Sequence, residues 1–186
     1  MSTIRTNAVQ TVDGRPLLNT TGSIVQCVVV RTDTRTTFSA PNSGNGTVIS
    51  QLNLTITPRN SANRIICKWM VNGEFNNENA VFTVYQDGSL ITQSGAQGYN
   101  SYSNSRWTGA APSVYDRNNS STPQNTVIFW SGTAGSTSSR SYRPAVRSSN
   151  SSNRTFYLNR CVGSGNNGQN AYEITVSTGV CWEIAL

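Results

Sequence analysis

The chain has 186 residues, of which 12% are charged, contains no histidine and carries a formal charge of +6. That length suits one domain with a proper core, and the missing histidine excludes Ser-His-Asp and Cys-His nucleophile pairs and most metal-assisted hydrolysis in their common forms. Ser, Thr, Asn and Gly crowd the sequence between short clusters of Val, Ile, Phe, Tyr and Trp, a bias toward strands and turns and away from both helices and disorder.

The first stretch, "MSTIRTNAVQTVDGRPLLNTTG", is polar for some twenty residues. Ile4, Ala8, Val9 and Val12 are too scattered for the apolar core of an export signal, and Asp13-Gly14-Arg15-Pro16 punctuates the stretch as a turn, against an amphipathic presequence. Residues 1–22 therefore read as an extended N-terminal arm of the mature protein, too poor in apolar side chains to fold alone and ordered by lying on another subunit.

Candidate strands follow, with turn chemistry between them. In "SIVQCVVVRT" the near-continuous apolar run from Ile24 to Val30 predicts a strand covered on both faces. "QLNLTITP" alternates Leu52, Leu54 and Ile56 with polar residues until Pro58 stops it. "NRIICKWMV" puts Ile65, Cys67, Trp69 and Val71 on one face and Ile66, Lys68 and Met70 on the other. These two segments are expected to be adjacent strands joined by the polar connection 58–63. "AVFTVYQDGSLITQ" carries the strongest local signal, a tight hairpin at Asp87-Gly88.

Residues 94–125 form a long aromatic and polar insert without periodicity. Tyr99, Tyr102, Trp107 and Tyr115 make it a candidate receptor or partner loop, or alternatively a plug tucked onto the domain. "TVIFWSG" reads as another buried strand, "SSRSYRPAVRSS" as its neighbour with Pro144 marking an edge, and "RTFYLNR" and "AYEITVSTGVCWEIAL" complete the series, the last strand running to the final residue. Eight or more short strands of this kind predict an all-β fold, a β-sandwich or jelly-roll-like antiparallel domain over 23–186 behind the arm.

The chemistry-bearing residues are few. Cys27, Cys67, Cys161 and Cys181 lack paired spacing, so a metal site is not expected. Each lies in or beside an apolar segment as a small hydrophobe, with disulfide pairing left open. Among the carboxylates, Asp13 and Asp87 read as turn residues and Glu74 and Glu78 as solvated loop positions. With Asp33, Asp116, Glu173 and Glu183 they leave a glycosidase-type carboxylate pair available in principle, but without other acid-base machinery no catalytic residue or cofactor is expected. Thirteen arginines and one lysine, Lys68, are spread along the chain without a basic run, which favours dispersed surface and subunit contacts over nucleic-acid binding. Asn-x-Ser/Thr triplets such as "NTT" at 19–21 are expected by chance in so Asn- and Ser-rich a chain. No segment approaches the roughly 20 apolar residues of a membrane span.

"STIRTNAVQTVDGRPLLNTTGSIVQ", "LTITPRNSANRIIC", "VYQDGSLI", "SSNRTFYLNR" and "STGVCWEI" resemble, in that order, a family of small β-rich structural proteins of tailed bacteriophages, of the cyanophage and marine phage type. The resemblance spans most of the chain and departs over 94–125. It implies a non-enzymatic virion protein, a tail fibre or appendage component forming a homotrimer, with other tail or capsid proteins as partners and a host glycan or protein as receptor. Head decoration or cement and a polysaccharide-binding or -degrading protein are the alternatives. In this reading the arm residues Ile4, Arg5, Asn7, Val9, Arg15, Leu17 and Leu18 carry assembly.

Overall fold

A computed structural model of the chain describes residues 21–77, 80–91, 109–112, 123–164 and 172–186. Among these residues twelve strands form two antiparallel sheets, giving an all-β sandwich. The arm residues 1–20 and most of the 94–125 insert lie outside the described residues.

The first sheet is built around β5 (Arg64–Phe75), whose alternation buries Ile65, Cys67, Trp69 and Val71. One edge of β5 pairs with β12 (Ser177–Ile184) and then β11 (Arg154–Leu158), and the other edge pairs with β9 (Gln124–Thr133). β1 (Ile24–Thr32) adds to β12, and β2 (Thr36–Ala40) adds to β11. The second sheet centres on β10 (Arg140–Ser148) and β6 (Ala80–Gln86), flanked by β3 (Thr47–Val48), β4 (Leu54–Ile56), β7 (Ser89–Leu90) and β8 (Ala111–Pro112).

The hairpin at Asp87-Gly88 is present, with φ of 50° and 85° at the two central residues, the positive values that a tight turn between twisted strands needs. Asp87 fixes it to the neighbouring strand by accepting from Ser141 N and from Arg140 Nη1 at 2.9 Å.

Several expectations are corrected. The segments around Leu54 and Ile65 are not neighbours, because β4 pairs with β10 and β5 lies in the opposite sheet, so residues 57–63 cross between layers. Likewise β10 pairs with β6, not β9, and Pro144 is interior. Its missing N–H falls at the gap where β4 gives way to β3, the side on which its own carbonyl accepts from Ile49 N at 2.9 Å. The final strand stops at Ile184 rather than at the last residue.

The interior is filled from both sheets. Phe75, Phe82 and Phe156 form a three-ring cluster with centroids 4.8–5.6 Å apart, Trp130 packs on Tyr142 at 5.2 Å, and Trp69 donates its indole N–H to Leu52 O at 2.9 Å. Cys67 and Cys181 face each other across β5 and β12 as free buried thiols, and burial together with its partner's thiol pushes the Cys67 thiol up.

Candidate interaction surface

None of the residues singled out for function falls where the structure describes the chain. Ile4, Arg5, Asn7, Val9, Arg15, Leu17 and Leu18 lie in the undescribed leader, and Tyr99, Tyr102, Trp107 and Tyr115 in the undescribed part of the insert. The candidate surface that the structure reveals is instead the outer face of the first sheet.

Register builds this face row by row. Val29, Val180, Lys68 and Phe129 stand side by side across β1, β12, β5 and β9. The row before it holds Cys27, Trp182, Ile66 and Ser131, the row after it Arg31, Thr178, Met70 and Val127, and an outer row Ile24, Ile184, Arg64 and Thr133. Four strands at about 4.8 Å spacing and three row steps of roughly 6.6 Å give a patch of about 14 by 20 Å. Val29 is 71% exposed, Phe129 56%, Val127 48% and Met70 44%. A shallow depression of about 210 Å³ lies between Val29, Lys68, Met70, Val180 and Trp182.

A solvated outer sheet face is normally polar at every second position, whereas ten of the sixteen residues in these rows are apolar, a patch of the size that is often functional on a monomer. Taking a large apolar side chain out of water is worth about 1.5–3 kcal/mol. None of the residues in these rows is acidic, whereas Arg31, Arg64 and Lys68 are cationic. The surface is therefore an apolar sheet face with three positive charges.

This overturns the expectations that β1 is covered on both faces and that β9 is a buried strand. Inward-facing Ile128 and Trp130 of β9 are buried while Val127 and Phe129 face out. The contrast with the second sheet is plain, where successive residues of β6 from Ala80 to Tyr85 are all buried. The signal for the face was in the sequence, as apolar residues at both parities in "IVQCVVV" and "VIFW". A pattern of that kind fits a strand with two covered faces, and among the described residues only one of the two is covered.

Beyond the open rows the same side of the sheet is closed by the chain after β11. Glu74, read as a solvated loop residue, lies in β5 and is 2% exposed, accepting from Val162 N. Arg160 lies 4.6 Å over the ring of Tyr157, and Asn159 donates to the carbonyls of Thr32 and Thr34.

The other buried carboxylate, Glu183, closes the end of the sandwich. It accepts from the Arg59 and Asn60 amides, from Asn63 Nδ2 and from Gln26 Nε2. Burial opposes its charge, but the bonds from Gln26, Asn63, Asn60 and Arg59 outweigh that and hold its carboxyl below the usual range. Its oxygens are committed to the crossing between layers, a fixing role rather than a proton-transfer one.

Among the described residues no group of three or more His, Cys, Asp or Glu is placed to hold a metal ion, and no helix is long and apolar enough to cross a membrane. No family model and no curated protein matches the chain. Among solved structures it is similar to a chain from the infectious bursal disease virus Gt strain, at 12% identity and a TM-score of 0.38, covering 88% of this chain and 39% of that one. A second likeness is to the VP2 subviral particle of the same virus, at 10% identity and a TM-score of 0.35, covering 97% of this chain and 46% of that one. The chain thus spans less than half the length of either.

Proposed function

We propose that the protein is a non-enzymatic structural component of a bacteriophage virion, a trimeric tail fibre or appendage subunit that anchors through its N-terminal arm and presents loops for host attachment. The observation that carries the assembly part of this reading is the open apolar face of the first sheet. A strand pattern that calls for two covers, on a domain that leaves one of them open, fits a subunit whose second cover is another chain. Symmetric self-association is the commonest way to supply such a cover. The phage and appendage parts are supported by the sequence resemblance. Residues 94–125, with Tyr99, Tyr102, Trp107 and Tyr115, are the proposed receptor loop.

Two measurements test this. Light scattering on the purified full chain should give three times the subunit mass, and a stable monomer at micromolar concentration would overturn the assembly reading. Antibody raised against the chain should label phage particles at the tail. Uniform label over the head would replace the appendage by a decoration protein, and unlabelled particles would remove the virion assignment altogether.

A further inference from the structure

We infer that the open face of β1, β12, β5 and β9 is covered in the assembly by residues 1–20 of a neighbouring copy. The inference rests on the assembly reading above and names the contact. The face needs an apolar occupant, and the leader carries Ile4, Val9, Val12, Leu17 and Leu18 within twenty residues. Extended, twenty residues reach about 66 Å at roughly 3.3 Å each. That is enough to leave one subunit and run the length of the patch on the next.

The leader joins the sheet at one end of the face, within reach of it and of a neighbouring copy. Gly22 N donates to Ala185 O at 2.8 Å and Ala185 N to Ser23 O at 2.9 Å. The ladder between the first and last strands therefore continues past Ile24 and ends in a turn at Thr21-Gly22, where Gly22 has φ 88°, just beyond the outer row of the face.

Charge argues against the simplest competitor, the same face of a second copy. Lys68 stands near the middle of the patch, with Arg31 and Arg64 toward its margins and no acidic residue in the rows. A two-fold stacking of the face on itself would bring these like charges together in an interface that excludes water, which is costly. The leader's side-chain charges, Arg5, Asp13 and Arg15, sum to +1 against the three cations that a second copy of the face would bring. Its remaining polar residues are neutral, so it can cover the apolar rows with less like-charge conflict while the long stem of Lys68 lets its ammonium reach past a narrow segment to water.

Cys27 makes the test direct, because it is exposed on this face while Cys67, Cys161 and Cys181 are buried and the leader has no cysteine. The full chain is prepared as Val9→Cys and, separately, as Val12→Cys, treated with a short bis-maleimide, and run on a denaturing gel beside the same variants carrying Cys27→Ser. Bands at two and three subunit masses that vanish with Cys27→Ser and are absent from the unsubstituted chain treated in the same way are expected. Equal bands from the unsubstituted chain would show Cys27 meeting Cys27 and overturn the inference. A Cys27-dependent link at monomer mass would place the leader on its own subunit and overturn the inference. No Cys27-dependent link in chains that light scattering shows to be trimeric would also overturn it, while leaving the proposed assembly standing. No link in chains that are monomeric would remove both.

Discussion

Glu183 illustrates how one side chain can hold two layers together. Its four donors come from β1 and from the crossing at 59–63, so neutralising it leaves buried groups mismatched. Glu183→Gln is expected to cost about 1–3 kcal/mol at pH 7 by urea denaturation, the range for unpairing buried polar groups. The folded carboxyl titrates below its unfolded value of about 4.3, so its contribution is complete above that value and is lost as pH falls through the lower, folded one. Wild type should therefore lose more stability than Glu183→Gln between pH 7 and pH 3, and parallel losses would show that Glu183 is not the group responsible. Tyr142 offers the reverse case. Its ring is buried but its hydroxyl has no hydrogen-bond partner among the described residues, so Tyr142→Phe should be neutral or stabilising in the same assay. Trp69→Phe, which orphans Leu52 O and leaves a void, should destabilise by about 2 kcal/mol or more.

At the scale of elements, what sequence made legible was whatever depends on neighbours along the chain. Period-two alternation in "RIICKWMV" identified the inward set of β5, and Asp87-Gly88 identified the hairpin. Gly88 at φ 85° leads to the expectation that Gly88→Ala lowers the melting temperature by the equivalent of about 1 kcal/mol, although no atom lies within 4 Å of the added carbon. Gly179→Ala should cost at least as much for a different reason, since its Cβ would sit 2.5 Å from the Trp69 ring and 3.0 Å from Val30, an overpacked site. Thermal unfolding of both variants separates backbone strain from steric strain, because only Gly179→Ala should couple to Trp69→Phe in a double-mutant cycle. What sequence left dark was pairing over long separations. β4 and β5 are near in sequence and lie in opposite sheets, and Glu74 is buried because the amide of Val162, 88 positions later, turns back to meet it. No local pattern encodes either fact.

For the whole molecule, the open face changes what an apolar run means. In β9, Ile128 is fully buried and its neighbours Val127 and Phe129 are about half exposed, so adjacent residues of similar hydrophobicity belong to different interfaces. Ile128 belongs to the core of the subunit, whereas Val127 and Phe129 belong, in the proposed assembly, to the contact with a neighbouring copy. Substitution should separate the two. Ile128→Asn places an amide in the dry interior and is expected to cost several kcal/mol, enough to prevent recovery of folded protein. Phe129→Lys combined with Val29→Lys changes two solvated positions, which in an isolated subunit are normally worth within about 0.5 kcal/mol each. It also adds two charges to a face already bearing three cations. The double variant should keep the strand signature in circular dichroism and its unfolding midpoint as a subunit, yet fail to reach trimer mass in light scattering. If it assembles normally, the face is not a subunit contact. If instead it unfolds, the outer rows contribute to the subunit's own stability rather than to a subunit contact.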